Sequence, residues 1–315
     1  MKEPVITKIG TIDCGLLETT PIVFRGMHYR FESVRPDYTR GFCPPEIREA
    51  RTGPGGYFWT GPGGYFRFVD VESGESTPSF ALSHHFGCAH VSGNTMYAYG
   101  TAKRAHPPGE EGSRIQVFWS NDLERWSSQT ALHLPGWGAY NTTVCKGREG
   151  YVMAISIGEP PEVAGVRFTI FFAVSDDLLQ WRLLPQEYVH TKERYSTCPA
   201  LRFIEDSYYM VYAERTYIHI VRSRDLAHWE DSPFNPVMGP SVEDKIIANT
   251  ELTAEQHGYI DETENIKNAD PDLCEWDGRT VIYYCWGIRG RQFLAQAEYE
   301  GSLRTFFTGF FPERS

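Results

Sequence analysis

One seven-residue pattern recurs three times in this chain: Ser120-Asn121-Asp122-Leu123 with Trp126, Ser175-Asp176-Asp177-Leu178 with Trp181, and Ser223-Arg224-Asp225-Leu226 with Trp229. The copies begin 55 and 48 residues apart. Each follows a run of β-branched and aromatic residues (Ile115 to Trp119, Phe168 to Val174, Ile218 to Val221), which reads as a strand. Each copy is therefore a strand end, a tight Asp-containing turn, and a Trp that begins the next strand. A second unit, strand, turn and tyrosine-rich strand, spans Thr20 to Phe31, Cys88 to Tyr99, Thr142 to Ile155, Pro199 to Tyr212 and Pro271 to Tyr284. Five occurrences imply five units of ~40 to 55 residues, and a four-stranded sheet of that size buries both faces only when its neighbours stack around an axis. The expected fold is all-β, a five-bladed β-propeller with four antiparallel strands per blade, filling residues 1–315 as one domain. A β-sandwich gives no reason for three matching turns.

Two segments break the rhythm. Gly53-Pro54-Gly55-Gly56-Tyr57-Phe58 repeats as Gly61-Pro62-Gly63-Gly64-Tyr65-Phe66, too rich in Gly and Pro for regular structure, and reads as a loop within the first blade. Between the fourth and fifth blades, residues 236–268 form a partly helical insertion, with Thr253 as N-cap and Gln256 completing a capping box. It leads into Asp270 and is expected to overhang that end of the ring.

With 30 Lys plus Arg against 41 Asp plus Glu, the net charge is −11, and an acidic surface disfavours nucleic acid and anionic lipid as partners. No apolar run reaches the ~20 residues of a membrane helix, and Met1-Lys2-Glu3-Pro4-Val5 does not open a secretory signal. Seven cysteines without a Cys-x-x-Cys pair read as reduced, mostly buried thiols. A cytoplasmic location and a neutral or small ligand are the expectations, and His84, His85 and His90, lacking acidic or Cys partners at ligand spacing, read as channel-lining polar residues rather than a metal site.

In a propeller the innermost strands line the central channel, so residues at their starts meet at one mouth. Glu18 stands eight residues before Gly26 and Asp270 eight before Gly278. The same offset in the middle blades falls at His85 or Phe86, at Asn141 or Thr142, and at Cys198 or Pro199. Closure of the ring makes the first and fifth blades neighbours, so Glu18 and Asp270 are expected to face one another. Glu32 and Arg35, at the end of the next strand, are candidates for ligand binding or for a mutual pair. Trp137, Tyr140 and Trp286 are candidates for stacking on a ligand face. Asp122, Asp177 and Asp225 are read as turn residues, and Trp126, Trp181 and Trp229 as blade packing.

The segment Asp270-Pro271-Asp272-Leu273-Cys274-Glu275-Trp276-Asp277-Gly278, with Tyr283-Tyr284 after it, resembles the Asp-Pro strand, Asp-Gly turn and Tyr-Tyr strand of the five-bladed propeller glycosidases, glycoside hydrolase families 32, 43, 62, 117 and 130. The Ser-x-Asp-Leu-x-x-Trp turns are also similar to theirs, so the resemblance covers nearly the whole chain. It implies hydrolysis of short oligosaccharides or glycosides by carboxylate acid/base chemistry in a central funnel. It puts Glu18 as base or nucleophile and Asp270 as the second carboxylate. The chain departs from the pattern where relatives carry a fourth-blade acid Glu, here Thr197-Cys198-Pro199, and a third-blade Asp, here Asn141-Thr142-Thr143. Glu214, which ends an apolar strand, is the first candidate for proton donor, with Glu159 and His85 behind it. No organic cofactor is implied; the superfamily includes members with a structural cation in the channel, and no residue here identifies one. Two alternatives stand beside hydrolysis: a phosphorylase similar to family 130, with Arg35, Arg194 and Arg215 as phosphate ligands, and a non-catalytic sugar-binding propeller.

Overall fold

The computed structural model describes residues 3–35, 64–102 and 112–312; Cys43 and the first copy of the Gly-Pro duplication lie outside them. Strand β1 (Thr7–Cys14) opens the chain, followed by a first sheet of β2 (Thr19–Phe24), β3 (Met27–Val34) and β4 (Tyr65–Asp70). The second sheet holds β5 (His84–Ser92), β6 (Thr95–Ala102), β7 (Arg114–Ser120) and β8 (Ser127–His133). The third holds β9 (Gly138–Gly147), β10 (Gly150–Glu159), β11 (Thr169–Ser175) and β12 (Arg182–Leu183). The fourth holds β13 (Thr197–Ile204), β14 (Ser207–Glu214), β15 (Tyr217–Ser223) and β16 (Glu230–Asp231). The fifth joins β17 (Asn268–Trp276), β18 (Arg279–Ile288) and β19 (Arg291–Tyr299) to β1, so the N-terminal strand closes the ring on the C-terminal blade. All pairings are antiparallel, and the expected five-bladed propeller is the observed fold. The first blade has three strands among the described residues, with Ser76 and Phe80 bridging to Val69 and Phe66 along its outer edge.

The repeated turn has one geometry in all copies. Ser120, Ser175 and Ser223 each accept the backbone N–H of the Leu three residues on at 2.9–3.0 Å, and Asp122, Asp177 and Asp225 accept two further N–H groups at 2.8–3.0 Å. Each Leu takes a left-handed φ of 63–67°, which is strained for a branched residue. The buried Leu side chain anchors it, and the Leu carbonyl accepts the indole N–H of the following Trp at 3.0–3.3 Å.

That Trp packs on the preceding blade. Trp126 stacks on Phe80 at 3.8 Å, Trp181 meets Tyr99 edge-on at 5.8 Å, and Trp229 stacks on Phe172 at 5.4 Å. The motif therefore makes both the turn and the seam between blades. Trp181, 7% exposed, also donates its backbone N–H to Ala131 of the second blade. Trp181→Ala is expected to cost about 3 to 5 kcal/mol in denaturant unfolding, the range for emptying a buried Trp site.

Helix α1 (Pro161–Ala164) is a single turn after the third blade's second strand. The insertion carries a 3-10 turn (Val242–Lys245) and α2 (Ala254–Glu262), capped by the Thr253 and Gln256 box as the sequence indicates. It docks on outer strand β1, where Thr11 bridges to Ile247, and it contributes no residue to the central cavity described below. Its anchor is the fully buried Asp244, paired with Lys8 at 2.7 Å and hydrogen-bonded by Tyr284 at 2.6 Å. The chain finishes in α3 (Leu303–Gly309), whose Phe306 and Phe307 pack into the core between the fourth and fifth blades.

Candidate functional site

The inner strands do not run straight to the mouth. Pairing slips between Ala269 and Asp272 in β17, between Thr197 and Ala200 in β13, and between His85 and Cys88 in β5. At each slip one non-glycine residue is left-handed: Asp270 (φ 51°), Cys198 (φ 54°) and Phe86 (φ 56°). A bulge adds a residue and bends the strand, so side chains at these starts leave the ladder. In β9 the slip falls at Tyr140 and Asn141.

The result is an open cavity to which all five blades contribute, through Glu18, Gly87, Asn141, Cys198 and Asp270. Glu18, Asn141, Cys198 and Asp270 are positions picked out by the eight-residue offset from the turns; in the second blade Gly87 and Cys88 line the cavity instead of His85 or Phe86. Glu18 is 9% exposed and accepts a hydrogen bond from the Arg35 guanidinium, while its Oε2 is buried without one. Burial, reinforced by repulsion from Asp270, outweighs the pull of Arg35 and the nearby Asn141 amide and pushes the Glu18 carboxyl up to about 7. Asp270 accepts the Asn141 amide at 3.5 Å through Oδ1 and the Cys285 thiol at 2.8 Å through Oδ2. Arg35, buried like Glu18, lies over the Phe86 ring at 4.2 Å.

A wall of half-buried rings runs along the second to fourth blades. Phe86 meets Tyr140 at 5.0 Å, Tyr140 meets Phe168 at 4.9 Å, and Phe168 meets Tyr195 at 5.6 Å, all edge to face. Its two ends approach the two carboxylates. Arg35 links Phe86 to Glu18, and the Tyr195 hydroxyl is pushed above its ordinary range by burial with Cys198 and Asp270 adding to it.

Several expected site residues lie elsewhere. Glu214 accepts the Tyr212 hydroxyl at 3.1 Å and pairs with Arg194 at 3.4 Å; it ends the second strand of its blade, one strand removed from the axis, and does not line the cavity. Glu159, at the same place in the third blade, accepts the Tyr140 hydroxyl at 2.8 Å and pairs with Arg167 at 3.5 Å, so it touches the aromatic wall but not the carboxylates. Glu32 does not pair with Arg35. Strand alternation turns it to the seam with the fifth blade, where it holds Arg30 at 2.6 Å and Arg67 at 2.7 Å with no exposure. Trp286 is core: fully buried, stacked on Phe293 at 4.5 Å, its indole donating to Thr11. The buried His85 ring lies against the backbone of Gly64, and Trp137 packs edge-on against Phe171. Arg194 is occupied by Glu214 and Asp231, and Arg215 is exposed in the turn after β14, which leaves Arg35 as the one proposed phosphate ligand beside the pair. Sequence reasoning missed Cys285 and Tyr195. The first lies across the ladder from Ala269, a pairing that only strand register reveals.

Below the cavity the channel already holds a cation. Arg202 of β13 pairs with Asp272 of β17 at 2.7 Å and also donates to the Leu201 and Leu273 carbonyls. Its charge is felt at His90 and Cys88 of the second blade and at Cys145 of the third; burial, with Arg202 adding to it, takes His90 down to about 4. Asp272 is engaged and His90 faces a guanidinium, and the described residues hold no cluster of three His, Cys, Asp or Glu suited to a metal. This donor set does not fit a divalent channel cation.

No family model matches the sequence, and no curated protein sequence does. Solved structures do match in fold. An α-L-arabinofuranosidase from Lactobacillus brevis aligns over 92% of this chain and 93% of its own at a TM-score of 0.58 and 10% identity. A family 43 β-xylosidase/α-arabinofuranosidase from a compost microbial metagenome, in complex with xylotriose, aligns over 94% of each chain at 0.57 and 14%. A family 32 β-fructofuranosidase of Bombyx mori aligns over 91% of this chain and 58% of its own at 0.53 and 10%. These likenesses establish a shared five-bladed propeller.

Proposed function

We propose that the protein is a glycoside hydrolase acting on a short oligosaccharide or glycoside with Glu18 as proton donor. The observation that carries this is the meeting of Glu18 and Asp270, from the first and last blades, at one cavity, with Glu18 held near 7. Cleaving a glycosidic bond requires a proton on the departing oxygen and a carboxylate that activates water or attacks the anomeric carbon. A carboxyl that keeps its proton near neutral pH suits the first task. Asp270, fixed by Asn141 and Cys285, serves the second. The fourth-blade acid absent at Thr197 is thus supplied from the first blade, in place of the donor role assigned to Glu214. The aromatic wall from Phe86 to Tyr195 offers apolar surface to the C–H face of a sugar. Acid/base hydrolysis of this kind needs no organic cofactor. A cytoplasmic setting agrees with the free thiols of all six described cysteines, and no helix among the described residues is long and apolar enough to cross a membrane.

The test is a panel of aryl glycosides and short oligosaccharides, including xylose- and arabinose-based ones, assayed with and without phosphate on wild type, Glu18→Gln and Asp270→Asn. Phosphate-independent turnover that falls by ~10³ in Asp270→Asn supports hydrolysis. A phosphate requirement converts the reading to phosphorolysis, with Arg35 as anion ligand. Turnover that neither substitution changes rejects the site, and sugar binding without turnover makes the protein a binding propeller.

A further inference from the structure

Asp270 is held by sulfur. Cys285 in β18 places Sγ 2.8 Å from Asp270 Oδ2, and Gln292 of β19 donates to that sulfur at 3.7 Å, so the thiol hydrogen points to the carboxylate. Cys198 stands beside the same carboxylate from the fourth blade, its backbone N–H donating to Ser156 at 3.1 Å and its thiol donating to the Thr197 hydroxyl at 3.5 Å. The two thiols share an apolar cluster with Leu17, Ala213 and Ala269. We propose that Cys285 is a positioning residue, a thiol donor that fixes the orientation of the Asp270 carboxylate.

The reason lies in donor strength. A carboxylate that accepts several N–H or O–H bonds is stabilised as the anion and becomes a poor base. S–H is a weak donor, so it sets direction with less stabilisation of the charge. Both thiols stay protonated, because burial first and the neighbouring Asp270 second push them well above the ordinary thiol range. The other titratable or charged groups facing this cluster are Glu18 from the first blade, Tyr195 before β13 and Lys267 before β17.

The catalytic consequence rests on the hydrolase reading; the contact itself does not, and the experiment separates them. Infrared difference spectra of wild type minus Cys285→Ala are expected to show an S–H stretch shifted to low frequency that returns toward the free-thiol position in Asp270→Ala. A band at the free-thiol position in wild type overturns the proposal without reference to any substrate. In kinetics, Cys285→Ala is expected to lower kcat about tenfold with little change in KM. Cys285→Ser, a stronger donor at the same place, is expected to recover part of that loss and to move the acid limb of the kcat/KM profile to lower pH. A merely structural cysteine would show equal effects of Ala and Ser on stability and no movement of the limb, and that result also overturns the proposal. If wild type turns over no glycoside, the hydrolase reading fails while the infrared result still decides the contact.

Discussion

Glu18→Gln is expected to lower kcat/KM by about 10³ on substrates with poor leaving groups, within the range for loss of a general acid. The loss should shrink on aryl glycosides whose phenolate departs without a proton. The sign of the pH dependence follows from the raised carboxyl. Below about 7 Glu18 carries the proton and donates it, and above 7 it is ionised and cannot, so the wild-type kcat/KM profile should fall through a basic limb near 7 that the variant lacks. If Glu18 were the nucleophile or base instead, activity would fall on the acid side and no leaving group would restore the variant. Stability carries the same sign. The folded state holds the proton more tightly than the unfolded chain, so the contribution of Glu18 is complete below its ordinary value of 4.5 and is lost as pH rises toward 7.

Arg202→Met is expected to destabilise the protein by about 3 kcal/mol or more, because it leaves Asp272 desolvated in the channel without its cation. The melting temperature should fall by several degrees. Because the Arg202 guanidinium already supplies the counter-charge of Asp272, chelator treatment of wild type should leave the melting curve unchanged. A fall in melting temperature on chelation, restored by a divalent metal, would contradict this account of the channel.

The repeated turn made the propeller legible because one motif performs two tasks, ending a strand and sealing a seam, and both require fixed residue types. The mouth positions were legible for a related reason. The residues at the mouth stand a nearly constant number of positions before the turn that follows them, so Glu18, Asn141, Cys198 and Asp270 could be aligned before their contacts were known. The direction in which a side chain leaves its strand was not legible. Glu214 and Glu32 sit at strand ends near the mouth, yet alternation and distance from the axis send one to Tyr212 and Arg194 and the other to Arg30 and Arg67. Trp286 looked free to stack on sugar because its partners, Phe293 and Thr11, come from the next strand and from the N-terminal closing strand. The Asp270 to Cys285 contact and the Arg202 to Asp272 pair depend on register across blades, which no local pattern encodes.

The most direct test of the central claim is titration of the Glu18 carboxyl itself, by NMR of protein carrying carbon-13 in its Glu and Asp carboxyl groups, with Glu18→Gln to assign the signal. A midpoint near 7 is expected, and it should fall in Asp270→Asn, where the repelling charge is gone. A Glu18 midpoint in the ordinary carboxylate range, near 4.5, would mean that Arg35 governs the site and that Glu18 is not the proton donor.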